Sequence, residues 1–116
     1  MRHLARSFYH AVRGIGYTLR YEKNFQVESA AAGAVIFLMF LLPLTASERA
    51  ILILAIALVL CLELVNTALE RIMDILKPRV HPYARVVKDV MAGAVLLAAT
   101  LAVVVGLAIF SPYFLA

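Results

Sequence analysis

The residues best equipped for chemistry in this 116-residue chain are Glu63, Asn66, Glu70 and Asp74, in the stretch ELVNTALERIMD. They stand at i, i+3, i+7 and i+11. On a helix turning about 100° per residue they share an arc of about 80°, with Thr67 at its edge. Leu64, Ala68 and Ile72 keep the opposite face apolar. At about 1.5 Å rise per residue the row is about 16 Å long, running from inside an apolar stretch toward basic sequence. An acid at the centre of a bilayer costs about 2.5–3.5 kcal/mol on insertion scales, so Glu63 must face a partner or a wet cavity. Carboxylates graded toward an aqueous surface suit a hard cation. Mg²⁺ takes oxygen ligands, commonly one or two carboxylates plus substrate phosphates. Glu22 and Glu28, with Asn24 between them, supply more oxygen ligands, and Lys88 with Asp89 puts a cation and an acid at the same level. A lysine there can offset phosphate charge during phosphoryl transfer. Blander readings exist for each. Glu63 can be a protonated acid bonding two helices together, and Lys88–Asp89 an interfacial pair whose lysine stem snorkels.

Other sites are not encoded. The chain has no GxxxxGK[ST], no kinase glycine-rich loop and no HExxH. His3, His10 and His81 lack metal-ligand spacing. Cys61 is the only cysteine, which excludes an internal disulfide.

The elements that position these residues follow from the hydropathy. Hydrophobic residues make up 65% of the chain and charged residues 16%, well below the roughly 25% of a soluble domain. A soluble globular domain and a disordered chain are both excluded. Residues 29–47 and 90–116 carry no charge, and 50–62 is a third uncharged stretch that stays apolar to Leu69 apart from Glu63 and Asn66. A bilayer core requires about 20 apolar residues per helix, and helices satisfy their own backbone there. The expected architecture is all-α: three transmembrane helices at 29–46, 49–73 and 88–112, with Pro43 kinking or ending the first and the prolines of KPRVHP making a turn after the second. Residues 1–27 form an interfacial helix and link, and residues 1–116 are one domain.

In that N-terminal helix Leu4, Phe8, Ala11, Val12, Ile15 and Leu19 fall within an arc of about 100°, with Arg2, Arg6, Arg13 and Arg20 opposite. Such a helix lies in the membrane interface. Gly14 and Gly16 make a bend there an expectation. The formal charge of +4 could suit nucleic acid. In so apolar a chain, however, basic residues mark the cytoplasmic side. Ten of the 11 Lys and Arg residues lie before the first span or between the second and third. That puts the N-terminus inside and the C-terminus outside, in a multi-pass protein with no nucleic-acid partner.

ELVNTALERIMD, followed by HPYARVVKDVMAGAVLLAA, resembles the small prokaryotic integral-membrane diacylglycerol kinase family, which includes the undecaprenol kinases. Length, three spans and a surface helix agree with it. The resemblance implies a lipid kinase of the prokaryotic inner membrane that moves the γ-phosphate of MgATP to a lipid hydroxyl, working as a homotrimer with sites shared between subunits. By motif position, Glu63 matches the catalytic base, and Glu22 and Glu70 the metal- and nucleotide-binding acids. Lys88 and Asp89 match the nucleotide-binding pair, and His81 lies in the nucleotide-contacting loop. Asn66, Asp74 and Glu28 fill supporting positions. The chain departs from the pattern near its start, where His3 stands between Arg2 and Arg6 at a position that is arginine in some members, and at Arg79, where some members are acidic.

HPYARVVKDVMAGAVL looks more like the undecaprenol kinase branch, which makes undecaprenol the preferred acceptor and diacylglycerol the alternative. A small proton or cation transporter subunit is a remoter class, and a non-catalytic membrane protein a third. The transporter class gives no task to Lys88–Asp89 or to the basic surface helix.

Overall fold

A computed structural model describes residues 1–76 and 82–115; Lys77–His81, which include most of the expected KPRVHP turn, and Ala116 lie outside the described residues. The described chain is helical throughout: α1 (Arg2–Tyr21), α2 (Lys23–Leu41), α3 (Ala46–Leu76) and α4 (Ala84–Leu115). The last three are each long and apolar enough to cross a membrane, so the protein is a multi-pass membrane protein with three spans.

The spanning helices pack through seams with a seven-residue repeat. On α2 the inward residues are Phe25, Glu28, Ala32, Val35 and Met39, at alternating steps of three and four. On α3 they are Leu52, Ile56, Val59, Glu63, Asn66 and Glu70. On α4 they are Met91, Val95, Ala98, Ala102, Val105 and Ile109. Steps of three and four keep one stripe facing a neighbouring helix along its length. The alanines bring backbones close where hydrophobicity gives no drive for association in lipid. Met39, Leu44 and Leu52 form a buried cluster, against which Val105, Ile109 and Tyr113 pack. The C-terminal end of α4 thus meets the N-terminal end of α3, and the spans run up, down and up.

The helices begin earlier than the expected spans 29–46, 49–73 and 88–112, α2 already at Lys23 within the expected link, and α3 and α4 end later. Two further differences have a local cause. The uncharged stretch continues to Ser47, but α2 stops at Leu41, and Leu42 is extended at φ −103°, ψ 147°. Pro43 is the cause, because its ring disfavours the helical conformation in the residue before it. The link 42–45 then turns into α3 through a reciprocal cap. Glu48 Oε1 accepts from the Thr45 backbone N–H at 2.9 Å, and Thr45 Oγ1 accepts from the Glu48 N–H at 3.1 Å. The Tyr113 hydroxyl donates to the same Glu48 oxygen at 2.7 Å, tying α4 to this corner.

The other difference is in α1, which runs unbroken through Gly14 and Gly16. Glycine costs only about 1 kcal/mol relative to alanine within a helix, and Thr18 Oγ1 bonds the Gly14 carbonyl at 2.9 Å. The break falls at Glu22, extended at φ −106°, ψ 111°. Gln26 Nε2 reaches back from α2 to the carbonyls of Leu19 (2.9 Å) and Arg20 (3.1 Å), satisfying the end of α1. Leu4, Phe8, Val12, Ile15 and Leu19 remain exposed, as an interfacial helix requires.

Thr45 supplies one half of the reciprocal cap. Thr45→Ala should lower the stability of the folded protein by about 0.5–2 kcal/mol, read as a reduced thermal unfolding midpoint in detergent.

Candidate functional site

The seam that packs α2 on α3 also builds the site. Met39 with Leu52, Ala32 with Val59, and Glu28 with Glu63 follow one antiparallel register. Two acids therefore occupy positions that hold apolar residues farther along the same helices. Glu63 is the most deeply buried large side chain among the described residues, 1% exposed. Its Oε2 has no hydrogen-bond partner among them, and neither does Glu28 Oε2 or Thr67 Oγ1. Thr67, placed at the edge of the polar face by spacing alone, is buried one turn beyond Glu63. Buried polar atoms without partners cost free energy, and three in one place are the sign of a site built for something other than packing.

Glu63 lies within electrostatic range of Glu22 and Glu70, and Glu28 within range of Glu63. Asn66 Nδ2 donates to Glu70 Oε1 over a long 3.4 Å and adjoins Glu63. The continuing register sets Glu22 level with Glu70, where α1 and α2 part. Glu22 is held by Arg71, whose Nη2 pairs with its Oε1. Arg71 Nε also donates to the Tyr17 hydroxyl at 3.0 Å, and Nη1 is 3.6 Å from Asp74 Oδ2. Spacing gave no hint of this role for Arg71; its partners come from two other segments of the chain.

An apolar groove of about 620 Å³ runs between α2, α3 and α4, with Glu28 at one end and Phe114 near the other. Ala31, Ala102 and Gly106 are among its small wall residues.

Of the residues singled out by sequence, Glu22, Glu28, Glu63, Asn66 and Glu70 come together, and Asp74 joins them through Arg71. Lys88 and Asp89 are exposed on α4. The Tyr113–Glu48 contact fixes the α3–α4 register and puts them at about the level of Met73 and Ile72. Among the described residues, no ion pair or hydrogen bond joins them to the acids. His81 lies outside the described residues. No group of three or more His, Cys, Asp or Glu side chains arranged to hold a metal occurs among the described residues. The donor set fits a different kind of site, in which one or two carboxylates share a hard cation with phosphate oxygens. Glu22 and Glu70, half-buried and at one level, are two carboxylates compatible with such a site, and the orphaned oxygens of Glu28 and Glu63 lie beyond them.

Residues 9–110 match the family described as prokaryotic diacylglycerol kinase. The chain belongs to that family. It is 45% identical over 107 residues to the undecaprenol kinase of Bacillus subtilis (strain 168), covering 92% of this chain and 87% of that protein. It is 44% identical over 101 residues to a diacylglycerol kinase of Synechocystis sp., covering 86% of this chain and 58% of that longer protein. The resemblance carried by ELVNTALERIMD and the following helix is confirmed, and the protein is an ATP-dependent lipid kinase rather than a transporter subunit or a non-catalytic membrane protein.

The partnerless Oε2 of Glu63 is a burden on the fold. Glu63→Gln replaces it with an uncharged amide that can donate to Glu28 or Glu70. This variant should unfold in detergent at a temperature no lower than the wild type, and a markedly lower midpoint would show that the carboxylate stabilises the seam.

Proposed function

We propose that this lipid kinase phosphorylates undecaprenol at the membrane surface, with Glu63 as the base that receives the hydroxyl proton. The observation that carries the reading is the Glu63 carboxylate, buried with an unpartnered oxygen and within electrostatic range of Glu28, which lines one end of an apolar groove. A long apolar tail fits along such a groove, and its terminal hydroxyl then reaches the acids from the membrane side. The match over 87% of the undecaprenol kinase relative and the form of HPYARVVKDVMAGAVL favour a prenyl alcohol over diacylglycerol.

In the reaction the acceptor hydroxyl oxygen attacks the γ-phosphorus of ATP, and the bond to the β,γ-bridging oxygen breaks, releasing ADP. Glu63 takes the hydroxyl proton as the new P–O bond forms, so the acceptor is a better nucleophile when it attacks. Asn66 holds Glu63 and Glu70 in a fixed relation along α3, and Asp74 extends the polar row toward water. Glu22 and Glu70 would hold Mg²⁺, which when bound offsets charge on the nucleotide phosphates. Lys88 neutralises further phosphate charge, with Asp89 and His81 as the other nucleotide contacts. Lys88 and Asp89 are level with the acids but not paired with them. This supports a homotrimer in which a neighbouring subunit brings its own Lys88 and Asp89 to the acids. The basic residues at this end set it on the cytoplasmic side of the inner membrane, where ATP is found, with the C-terminus outside.

The test offers γ-labelled ATP and Mg²⁺ to the purified protein with undecaprenol and diacylglycerol, separately and in competition. Label should enter undecaprenyl phosphate preferentially; predominant labelling of phosphatidic acid would reverse the acceptor assignment. Glu63→Gln should lower kcat by about 10²–10⁴-fold, the usual reach of general base catalysis. Glu70→Gln should raise the Mg²⁺ concentration needed for half-maximal rate.

A further inference from the structure

Phosphoryl transfer leaves Arg71 without a task, although its guanidinium is the most connected group at the site. It pairs with Glu22, takes the Tyr17 hydroxyl as acceptor at 3.0 Å, and stands 3.6 Å from Asp74. Its Cζ lies 5.9 Å from the centre of the Tyr17 ring. These contacts bring three elements to one point: α1 through Tyr17, the α1–α2 break through Glu22, and α3 through Arg71 itself. Among the described residues, the Arg71–Tyr17 bond is the side-chain hydrogen bond that joins α1 to α3.

Glu22 is also the residue whose extended backbone separates α1 from α2. A guanidinium and a divalent cation compete for the same carboxylate oxygens, because each needs that negative charge at close range. Asp74, one turn along α3, is a second carboxylate within reach of Arg71. Nη1 already stands 3.6 Å from Asp74 while Nη2 holds Glu22, so the guanidinium bridges the two acids.

We infer that Arg71 is an internal counter-ion: it holds Glu22 while no divalent cation is bound, yields it to the cation by moving onto Asp74, and thereby loosens the docking of α1. The inference rests on the proposed role of Glu22 as a cation ligand. Arg71 is a positioning residue, since it acts through Glu22 and Tyr17. The arrangement makes the surface helix responsive to the occupancy of the site beneath it.

The experiment uses the intact, nucleotide-free protein in detergent, with Mn²⁺ as the probe. Binding is followed by loss of the free Mn²⁺ electron-resonance signal, and α1 by amide hydrogen exchange. Arg71→Gln should bind Mn²⁺ about two- to fivefold more tightly than wild type, the range set by a partly exposed ion pair. A merely structural arginine would not give tighter binding when removed. In wild type, Mn²⁺ should speed exchange in α1. In Arg71→Gln exchange should be fast from the start and unresponsive to Mn²⁺. Arg71→Lys, which keeps the charge but not the fork, should fall between the two. Glu22→Gln separates the possible failures. If it removes Mn²⁺ binding while Arg71→Gln leaves the affinity unchanged, the counter-ion role is overturned and the cation-ligand reading stands. If Glu22→Gln leaves Mn²⁺ binding intact, the cation-ligand reading falls and the inference falls with it.

Discussion

The constraint on which the rest depends is a carboxylic acid placed on a helix-packing seam inside a membrane. Leu52, Ile56 and Val59 show what that seam requires along most of α3, and Glu63 occupies the next position in the same rhythm. Lipid cannot solvate the acid, and a partner helix of leucines could not satisfy it. The answer is the Asn66 amide one turn along α3, set against a second acid, Glu28, that faces Glu63 from α2 and repels it. That answer is incomplete by the standards of a folded core, since three buried oxygens keep no partner. On the proposed reading, in which a lipid hydroxyl and a nucleotide phosphate come to these oxygens, the site has reason to stay incomplete. Function and packing thus compete for the same positions, and the small alanines on α4 allow close approach around them.

A second feature is the sharp change of direction at Glu22. A membrane enzyme that takes one substrate from water and another from lipid needs its reactive groups near the boundary. The α1–α2 break separates the arginine-bearing helix from the first apolar span, and is held by Gln26 on one side and by Arg71 on the other. Local backbone preference at Gly14 and Gly16 is weaker than these tertiary bonds, so the helix stays straight where glycine invites a bend and turns where side chains hold it. At the opposite end of the bundle, the Thr45–Glu48 cap and Tyr113 fix the α3–α4 register. The two ends are thus stabilised differently, the far end by a local cap and the site end by charges that have other uses.

Much of the site could be read without coordinates. Glu63, Asn66 and Glu70 share a helical face by arithmetic alone, and the motif around them carries the family resemblance. Spacing puts Thr67 at the edge of the polar face, and only packing shows that this edge is buried, because spacing defines a face but not which part of it is pressed deepest against other helices. Arg71 was invisible for a different reason. One residue beyond Glu70, it reads as another basic side chain near a membrane boundary, and nothing in its neighbours reveals Tyr17 and Glu22 as its partners.

By itself the sequence determined the class of the protein. Apolar run length specifies three spans, since backbone groups in lipid permit little besides helices, and Pro43 ends the first by steric exclusion. The arginine-and-apolar division of residues 2–20 specifies a surface helix. Which side chains meet was decided only by tertiary structure. The antiparallel register brings Glu28 to Glu63 and Glu22 to the level of Glu70, while the turn at Glu22 brings Tyr17 to Arg71. Periodicity constrains one helix at a time, whereas the charge environment of an acid depends on helices far apart in sequence and is fixed only when they pack.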